Sequence, residues 1–121
     1  MVDAVIIAFA LLFIKHWYID FVNQSMDEVN GKGIYGNWLG IRHSLKQAVA
    51  TALIFFVLGC GLIVAPLLGL IDFVIHYHTD WTKMNYGNRD INTPQFWNHL
   101  GLDQLVHYMT YLLLVYLATV L

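Results

Sequence analysis

Residues 76–83 hold the densest group of chemically active side chains in this sequence. His76, Asp80 and Lys83 close an apolar run that begins near Leu62. On a helix, residues three and four positions apart lie on one face, so these three side chains point the same way. An imidazole beside a carboxylate can bind a metal ion or take part in proton transfer.

The same pairing of histidine with aspartate occurs twice more along the chain. His16 precedes Asp20 by one helical turn at the end of the first apolar run, and Asp103 precedes His107 by one turn at the start of the last run. This spacing predicts that three helices each present an imidazole and a carboxylate on one face. What the pairs can do then depends on whether the helices bring them together.

The composition is that of an integral membrane protein. Of the 121 residues, 59% are hydrophobic and 12% are charged, whereas soluble domains average about 45–50% apolar and about 25% charged residues. A membrane span takes about 20 residues, so the length accommodates four spans and no separate soluble catalytic domain. The formal net charge of -2 leaves no basic surface for nucleic acid, which is therefore not an expected partner.

Four apolar runs predict an all-α bundle of four transmembrane helices in a single domain over residues 1–121. The expected boundaries are 2–22, 45–65, 66–81 and 102–121. The third run is short for a span, so we expect it to tilt or to be re-entrant. Asp3 stands where a signal peptide would carry basic residues, so we expect the first run to be retained.

Two polar connections join these runs, and each contains signals for a short helix. Ser25 and Glu28 have the spacing of a capping box, which predicts a short helix between the first two spans. Thr93 and Pro94 have the character of an N-cap and a first-turn proline. They predict a short interfacial helix that ends before Gly101.

Up-and-down threading of four helices places their polar ends at one membrane level. The ends of the first and third helices then meet the starts of the second and fourth. The polar groups expected at this level are His16, Asp20, Gln24, His43, His76, Asp80, Lys83, Asp103, Gln104 and His107. Basic residues of both connections lie on the same side, so the positive-inside rule predicts that this level faces the cytoplasm, with both termini outside.

This group of side chains predicts a divalent metal site. Ionisable groups near a span cost about 2.5–3.5 kcal/mol each, so a large group of them needs a function. Imidazole and carboxylate suit zinc, manganese or iron. The predicted metal ligands are His16, Asp20, His43, His76, Asp80 and His107, and the predicted catalytic residues are Asp103 and Lys83. A bound ion would activate a water molecule while Lys83 or Arg42 holds an anionic substrate.

The chain resembles an uncharacterised family of small polytopic membrane proteins found in bacteria and their phages. The matching pieces cover nearly the whole chain and are His16-x-x-x-Asp20-Phe21-x-x-Gln24, His43, His76-x-x-Thr79-Asp80-x-x-Lys83 and Asp103-Gln104-x-x-His107. That family is distantly similar to membrane-bound metal-dependent hydrolases, which also carry His and Asp at the ends of spans. The resemblance implies enzymatic activity in a bacterial inner membrane.

The predicted function is therefore that of a metal-dependent hydrolase that acts on a phosphoester or another substrate at headgroup level. Its expected partners are the lipid bilayer, a small phosphorylated or lipid substrate, and a second copy of the chain. His78 and His99 are expected at the interface, outside the set of ligands. Asp72, one turn before His76, can orient the ring of His76 or face another helix.

Two other interpretations of the polar level stay open. Hydrogen bonds between His and Asp can simply stabilise the packing of a membrane bundle, each contributing about 0.6 kcal/mol to stability. The protein would then be structural, or a phage protein that modulates its host. The same groups can also bind an ion or relay protons in a transporter or channel component.

Overall fold

Five α-helices and one π-helical turn make up the chain in a computed structural model that describes residues 2–121. They are α1 (Val2–Trp17), the π turn (Tyr18–Val22), α2 (Met26–Gly31), α3 (Trp38–Val57), α4 (Gly61–Tyr86) and α5 (Pro94–Val120). The predicted all-α class is confirmed.

Three of these helical segments are long and apolar enough to cross a membrane: Val2–Val22, Gly61–Tyr86 and Pro94–Val120. α3 does not qualify, because its first half carries Arg42, His43, Lys46 and Gln47. Residues 48–57 supply only about 15 Å of apolar helix, half of the roughly 30 Å hydrocarbon core. The predicted count of four spans is therefore not confirmed. The predicted orientation, membrane and self-association stay predictions.

The third predicted helix is longer than its apolar run indicated. α4 extends over 26 residues, so the expectation of a short or re-entrant helix over residues 66–81 is wrong. The chain turns at Gly59 and Gly61, which have φ of 97° and 85°, and Pro66 lies inside the helix. Glycine adopts these positive φ angles without a steric penalty, so the helix starts before the proline.

The last helix is also continuous where the sequence indicated two pieces. The hydroxyl of Thr93 accepts a hydrogen bond from the backbone N–H of Phe96, so the predicted N-cap is confirmed. The helix that begins there runs on through Gly101 to Val120. The predicted interfacial helix and the predicted last span therefore form one element, α5.

The bundle is polar inside and apolar outside. Among residues 2–121, 15 polar or charged side chains are buried against 11 hydrophobic ones. Large apolar side chains face outward, and Leu62 and Ile63 are 80% and 82% exposed. Water would penalise this distribution, whereas lipid accepts it because backbone and polar groups are satisfied internally. The exposed apolar surface is therefore the lipid-facing one.

The close packing of α3 against α4 separates the polar part of the interior from an apolar core. A Cβ atom added at Gly69 of α4 would lie 2.7 Å from the carbonyl oxygen of Ala48 in α3, so no larger residue fits between these helices. Toward the N-terminal end of α4, Leu12, Phe55 and Leu68 belong to one apolar core with residues of α5. The polar halves of α3 and α4 consequently face each other at the other end of the bundle.

α2 is held against the start of α3. A Cβ atom added at Gly40 would lie 3.0 Å from the carbonyl oxygen of Gly31, so the two backbones touch. The predicted capping box is present at Ser25 and Glu28. Glu28 is buried, and its Oε1 accepts a hydrogen bond of 3.0 Å from Nζ of Lys46. These contacts bring the loop after α2 into the bundle.

The charge on Glu28 should stabilise the docked position of α2. Burial alone would raise the pKa of Glu28, but hydrogen bonds from Lys46 and from the backbone N–H of Ser25 outweigh it and hold the pKa below its usual 4.5. A carboxylate with a depressed pKa contributes stability above its unfolded pKa, and this contribution is lost as the pH falls through the folded pKa.

We therefore expect Glu28→Gln to flatten the acid side of the stability profile. Between about pH 6 and about pH 3, thermal unfolding in detergent should show that the wild-type protein loses more stability than the variant. Parallel profiles for the two proteins would show that the Glu28 carboxylate does not carry this contribution.

Candidate metal centre

The polar ends of the helices meet inside the bundle, as the antiparallel threading predicts. Asp20 of the π turn, His43 of α3, Asp80 of α4 and His107 of α5 are all at most 6% exposed. The π turn follows α1 directly, and it places Asp20 against α3 and α4. π turns recur at functional sites because they redirect a side chain that regular helix would aim elsewhere.

Four donor atoms from three segments face one another at the centre of this region. We call them the inner site: Asp20 Oδ1, His43 Nε2, His76 Nε2 and Asp80 Oδ2. Nε2 of His43 lies 2.9 Å from the Asp20 oxygen and 3.6 Å from the Asp80 oxygen. Nε2 of His76 lies 3.5 Å and 3.1 Å from the same two atoms. The two ring nitrogens are 3.3 Å apart.

These five separations match the edges of a tetrahedral metal site. Metal–ligand bonds of about 2.0–2.1 Å place the ligand atoms of a tetrahedron about 3.3 Å from one another. The separations in the inner site range from 2.9 to 3.6 Å, on both sides of that value. The inner site can therefore hold an ion such as Zn²⁺ after small movements of the side chains.

Hydrogen bonding alone satisfies the two imidazoles of the inner site poorly. The two Nε2 atoms point at each other, so only one proton fits between them, although both nitrogens also face carboxylates. Nδ1 of His43 and Nδ1 of His76 have no hydrogen-bond partner among residues 2–121. Packing orients the His76 ring instead, because it stacks on His107 with centroids 4.0 Å apart. A cation among the four donors would satisfy the facing nitrogens together.

A second group of donors lies beside the inner site. We call it the outer site: Asp80 Oδ1, Asp103 Oδ1 and His107 Nε2. The His107 nitrogen lies 3.3 Å from the Asp80 oxygen and 3.4 Å from the Asp103 oxygen. Asp80, Asp103 and His107 each offer a ligand atom within 4.8 Å of the others, which is close enough for one ion.

His16 is close to Asp20 but has its ring nitrogens engaged. Nε2 lies 2.6 Å from the Oε1 atom of Gln104, and Nδ1 lies 2.8 Å from the hydroxyl of Tyr111. Nε2 is also 3.5 Å from Oδ2 of Asp20, so His16 can join Asp20 and His76 in a third group of donors. Its predicted role as a ligand stays a prediction. The side-chain hydrogen bond to Asp20 comes from Gln47 instead, whose Nε2 donates to Oδ1 over 2.8 Å.

Lys32 enters the centre from the loop after α2, and the sequence analysis missed it. Its Nζ atom lies 3.2 Å from Oδ2 of Asp80, and its side chain is buried. Burial alone would lower the pKa of Lys32, but the carboxylates of Asp80 and Asp20 outweigh it and raise the pKa above its usual 10.5. A glycine-rich loop has no periodicity that would have placed this lysine inside the bundle.

Asp72 belongs to a separate polar group that lies deeper along the helices. Nζ of Lys15 lies 3.0 Å from Oδ2 of Asp72 and 3.2 Å from the hydroxyl of Tyr111. Gln47 accepts from the same lysine, and Thr51 donates to Asp72. Asp72 therefore faces other helices and does not orient His76. The lone lysine within the first apolar run was the available signal for a buried partner.

A groove of about 580 Å³ between α4 and α5 leads to the outer site. Its wall combines apolar side chains with Lys83 and Asp103, whose Nζ and Oδ2 atoms lie 3.2 Å apart. His99 lines the same groove, and its Nδ1 accepts the backbone N–H of Asn88. His78, also on the wall, is exposed on one side and pairs with Tyr35. Neither histidine contributes an atom to the inner or the outer site, and their position at the membrane interface stays a prediction.

The chain belongs to the family described as "Protein of unknown function (DUF3307)", whose profile matches residues 8–121. No curated protein and no solved structure is significantly similar to it. The predicted membership of an uncharacterised family is confirmed. The likeness to metal-dependent hydrolases and the phage origin stay predictions.

Proposed function

We propose that this member of the DUF3307 family is a membrane-embedded metalloprotein that hydrolyses a phosphoester at headgroup level. The observation that carries the proposal is the inner site, where four buried donor atoms lie at tetrahedral separations. Zinc, manganese and iron all accept such a mixture of imidazole and carboxylate ligands.

The charge balance of the centre also supports a bound cation. Among residues 2–121, the ammonium groups that form ion pairs with the carboxylates of Asp20, Asp80 and Asp103 are those of Lys32 and Lys83. One buried negative charge is left over when the imidazoles are neutral, and an uncompensated buried charge is expensive. A divalent ion compensates this charge and leaves a positive field that attracts an anionic substrate.

The groove between α4 and α5 fits an amphiphilic phosphoester. Val74, Ile75 and Val106 line it as an apolar wall, and Lys83 and His99 lie along the same groove. A hydrocarbon tail would pack against the apolar wall, and a phosphate would bind the ammonium of Lys83 by charge-assisted hydrogen bonds. The ion pair with Asp103 keeps Lys83 beside the outer site.

The proposed reaction is an in-line attack of water on phosphorus. A divalent ion held in the centre would lower the pKa of a water molecule that joins it as a further ligand, and it would offset the charge on the phosphate. The water oxygen forms a bond to phosphorus as the ester P–O bond breaks; one water proton stays on the phosphate product, and the leaving oxygen gains the other. Nδ1 of His99 accepts a hydrogen bond, so Nε2 of the neutral ring carries a proton and can donate a hydrogen bond to the leaving oxygen, which takes its own proton from the attacking water.

Metal analysis and a kinetic variant test this proposal. Protein purified without chelators should contain Zn, Mn or Fe and should hydrolyse phosphoesters presented in mixed micelles. Lys83→Gln should keep its metal and lower kcat/KM by about 10- to 100-fold, because it loses a charge-assisted hydrogen bond. Arg89→Gln, which removes an exposed cation between α4 and α5 that does not line the groove, is the control and should retain activity. Metal-free protein, or full activity in Lys83→Gln, would contradict the proposal.

One observation favours ion or proton transport as a second candidate function. The polar interior continues from His16 through the hydroxyl of Tyr111 to Lys15 and Asp72, deeper along the bundle. Such a chain of hydrogen bonds can pass protons. Proton flux in liposomes that depends on Asp72, without hydrolysis, would favour transport.

A further inference from the structure

The geometry points to a binuclear centre in which Asp80 bridges two divalent ions, the second one held by Asp103 and His107. This inference rests on the proposed function, because the first ion occupies the inner site. The substrate class that it assigns is a phosphoester, and one phosphate oxygen of this substrate contacts the second ion.

The two oxygens of Asp80 face different sets of donors. Oδ2 belongs to the inner site and lies 3.1 Å from Nε2 of His76. Oδ1 lies 3.3 Å from Nε2 of His107, in the outer site. A carboxylate that offers one oxygen to each of two sites is the usual bridge between metal ions about 3.5–4 Å apart.

Asp103 supplies an independent sign of a second ion. Its Oδ2 atom accepts hydrogen bonds from Lys83 at 3.2 Å and from Gln104 at 3.0 Å. Its Oδ1 atom is buried, has no hydrogen-bond partner among residues 2–121 and is directed toward His107, 3.4 Å from Nε2. Lys83 and Gln104 thus hold the carboxylate so that its unpartnered oxygen faces the outer site.

His107 cannot satisfy both carboxylates with a proton. Its Nε2 carries at most one proton, yet it lies at nearly equal distances from Asp80 Oδ1 and Asp103 Oδ1, 3.3 and 3.4 Å. A divalent ion among the three atoms satisfies all of them, with the imidazole neutral.

The two sites differ in the number of their protein donors and in their access to the groove. The inner site has four protein donors, and both of its histidines are 0% exposed. The outer site has three protein donors, and Asp103 also lines the groove between α4 and α5. Structural metal sites use four protein ligands, whereas catalytic sites use three and keep a position for water or substrate. The second ion is therefore the one that contacts the phosphate.

Manganese binding to the full chain in detergent tests the inference. Metal-depleted wild-type protein should bind two Mn²⁺ per chain, and electron paramagnetic resonance should show a spin-coupled pair. Asp103→Asn keeps the size of the side chain and should bind one uncoupled Mn²⁺. Asp90→Asn, a change in an exposed turn, is the matched control and should bind the coupled pair.

The stoichiometry separates this inference from the proposed function. One uncoupled Mn²⁺ in the wild-type protein would overturn the binuclear centre and leave the inner site standing. Two coupled ions in Asp103→Asn would overturn the assignment of Asp103. No bound Mn²⁺, Zn²⁺ or Fe²⁺ in the wild-type protein would overturn both proposals. The wild-type spectrum decides the central point even if Asp103→Asn fails to fold.

Discussion

Replacing His76 with glutamine should release the divalent ion from the inner site, whereas the same replacement at His78 should leave it bound. His76 is fully buried, and its Nε2 lies within 3.5 Å of three other donor atoms of the inner site. His78 is on the same helix two residues later, but its Nε2 pairs with the hydroxyl of Tyr35 at the surface of the bundle.

The expected loss of affinity is large because His76 is a direct ligand in this proposal. Removal of groups that only support a ligand already weakens metal binding by about 10- to 100-fold, so loss of the ligand itself should cost at least about 100-fold. Competition with a chromophoric chelator measures the affinity in detergent. Circular dichroism and thermal unfolding establish that both variants keep the helical bundle.

The pair of variants separates a metal centre from a structural hydrogen-bond network. If the polar level only fastens the helices, His76→Gln should lower the unfolding temperature and leave the metal content as low as in the wild-type protein. Equal metal affinity in His76→Gln and His78→Gln would contradict the inner site.

Asp72→Asn should destabilise the bundle without removing metal. Lys15 and Asp72 form a buried ion pair at 3.0 Å, with side chains 8% and 1% exposed. Breaking a buried pair leaves one uncompensated charge, which typically lowers the free energy of unfolding by about 3–5 kcal/mol. Asp72 contributes no atom to the inner or outer site, so the metal affinity of the folded variant should match that of the wild-type protein.

A double-mutant cycle gives the control for this prediction. Lys15→Met should destabilise the protein for the same reason, and the double variant Lys15→Met/Asp72→Asn should recover part of the loss because neither charge remains. Reversible unfolding in mixed micelles measures each free energy. Strictly additive losses would show that the two side chains do not act as a pair.

The fold class and the meeting point of the polar residues could be predicted because both follow from local patterns. Long apolar runs specify helices in a membrane, and the one-turn spacing of His16 with Asp20 sets a single face. Antiparallel threading then brings alternate helix ends to one level. These arguments need only the order of apolar and polar residues.

The helix boundaries and the number of spans could not be predicted, because they depend on contacts between helices that local sequence patterns do not describe. Pro66 and Gly101 predict helix ends in the sequence. In the structure, α4 starts before Pro66 and α5 runs through Gly101. Packing against neighbouring helices outweighs a single unfavourable residue. α3 is as long as a span, but the polar face that it turns toward the centre removes it from the count.

The sequence by itself therefore determined that this protein is a helical membrane protein with a shared polar level. Only the tertiary structure decided which atoms meet there: Lys32 beside Asp80, Lys15 with Asp72, and the two oxygens of Asp80 toward different sites. The reason is physical, since hydropathy and periodicity act along one segment, whereas ligand distances and ion pairs depend on close packing between segments remote in the chain.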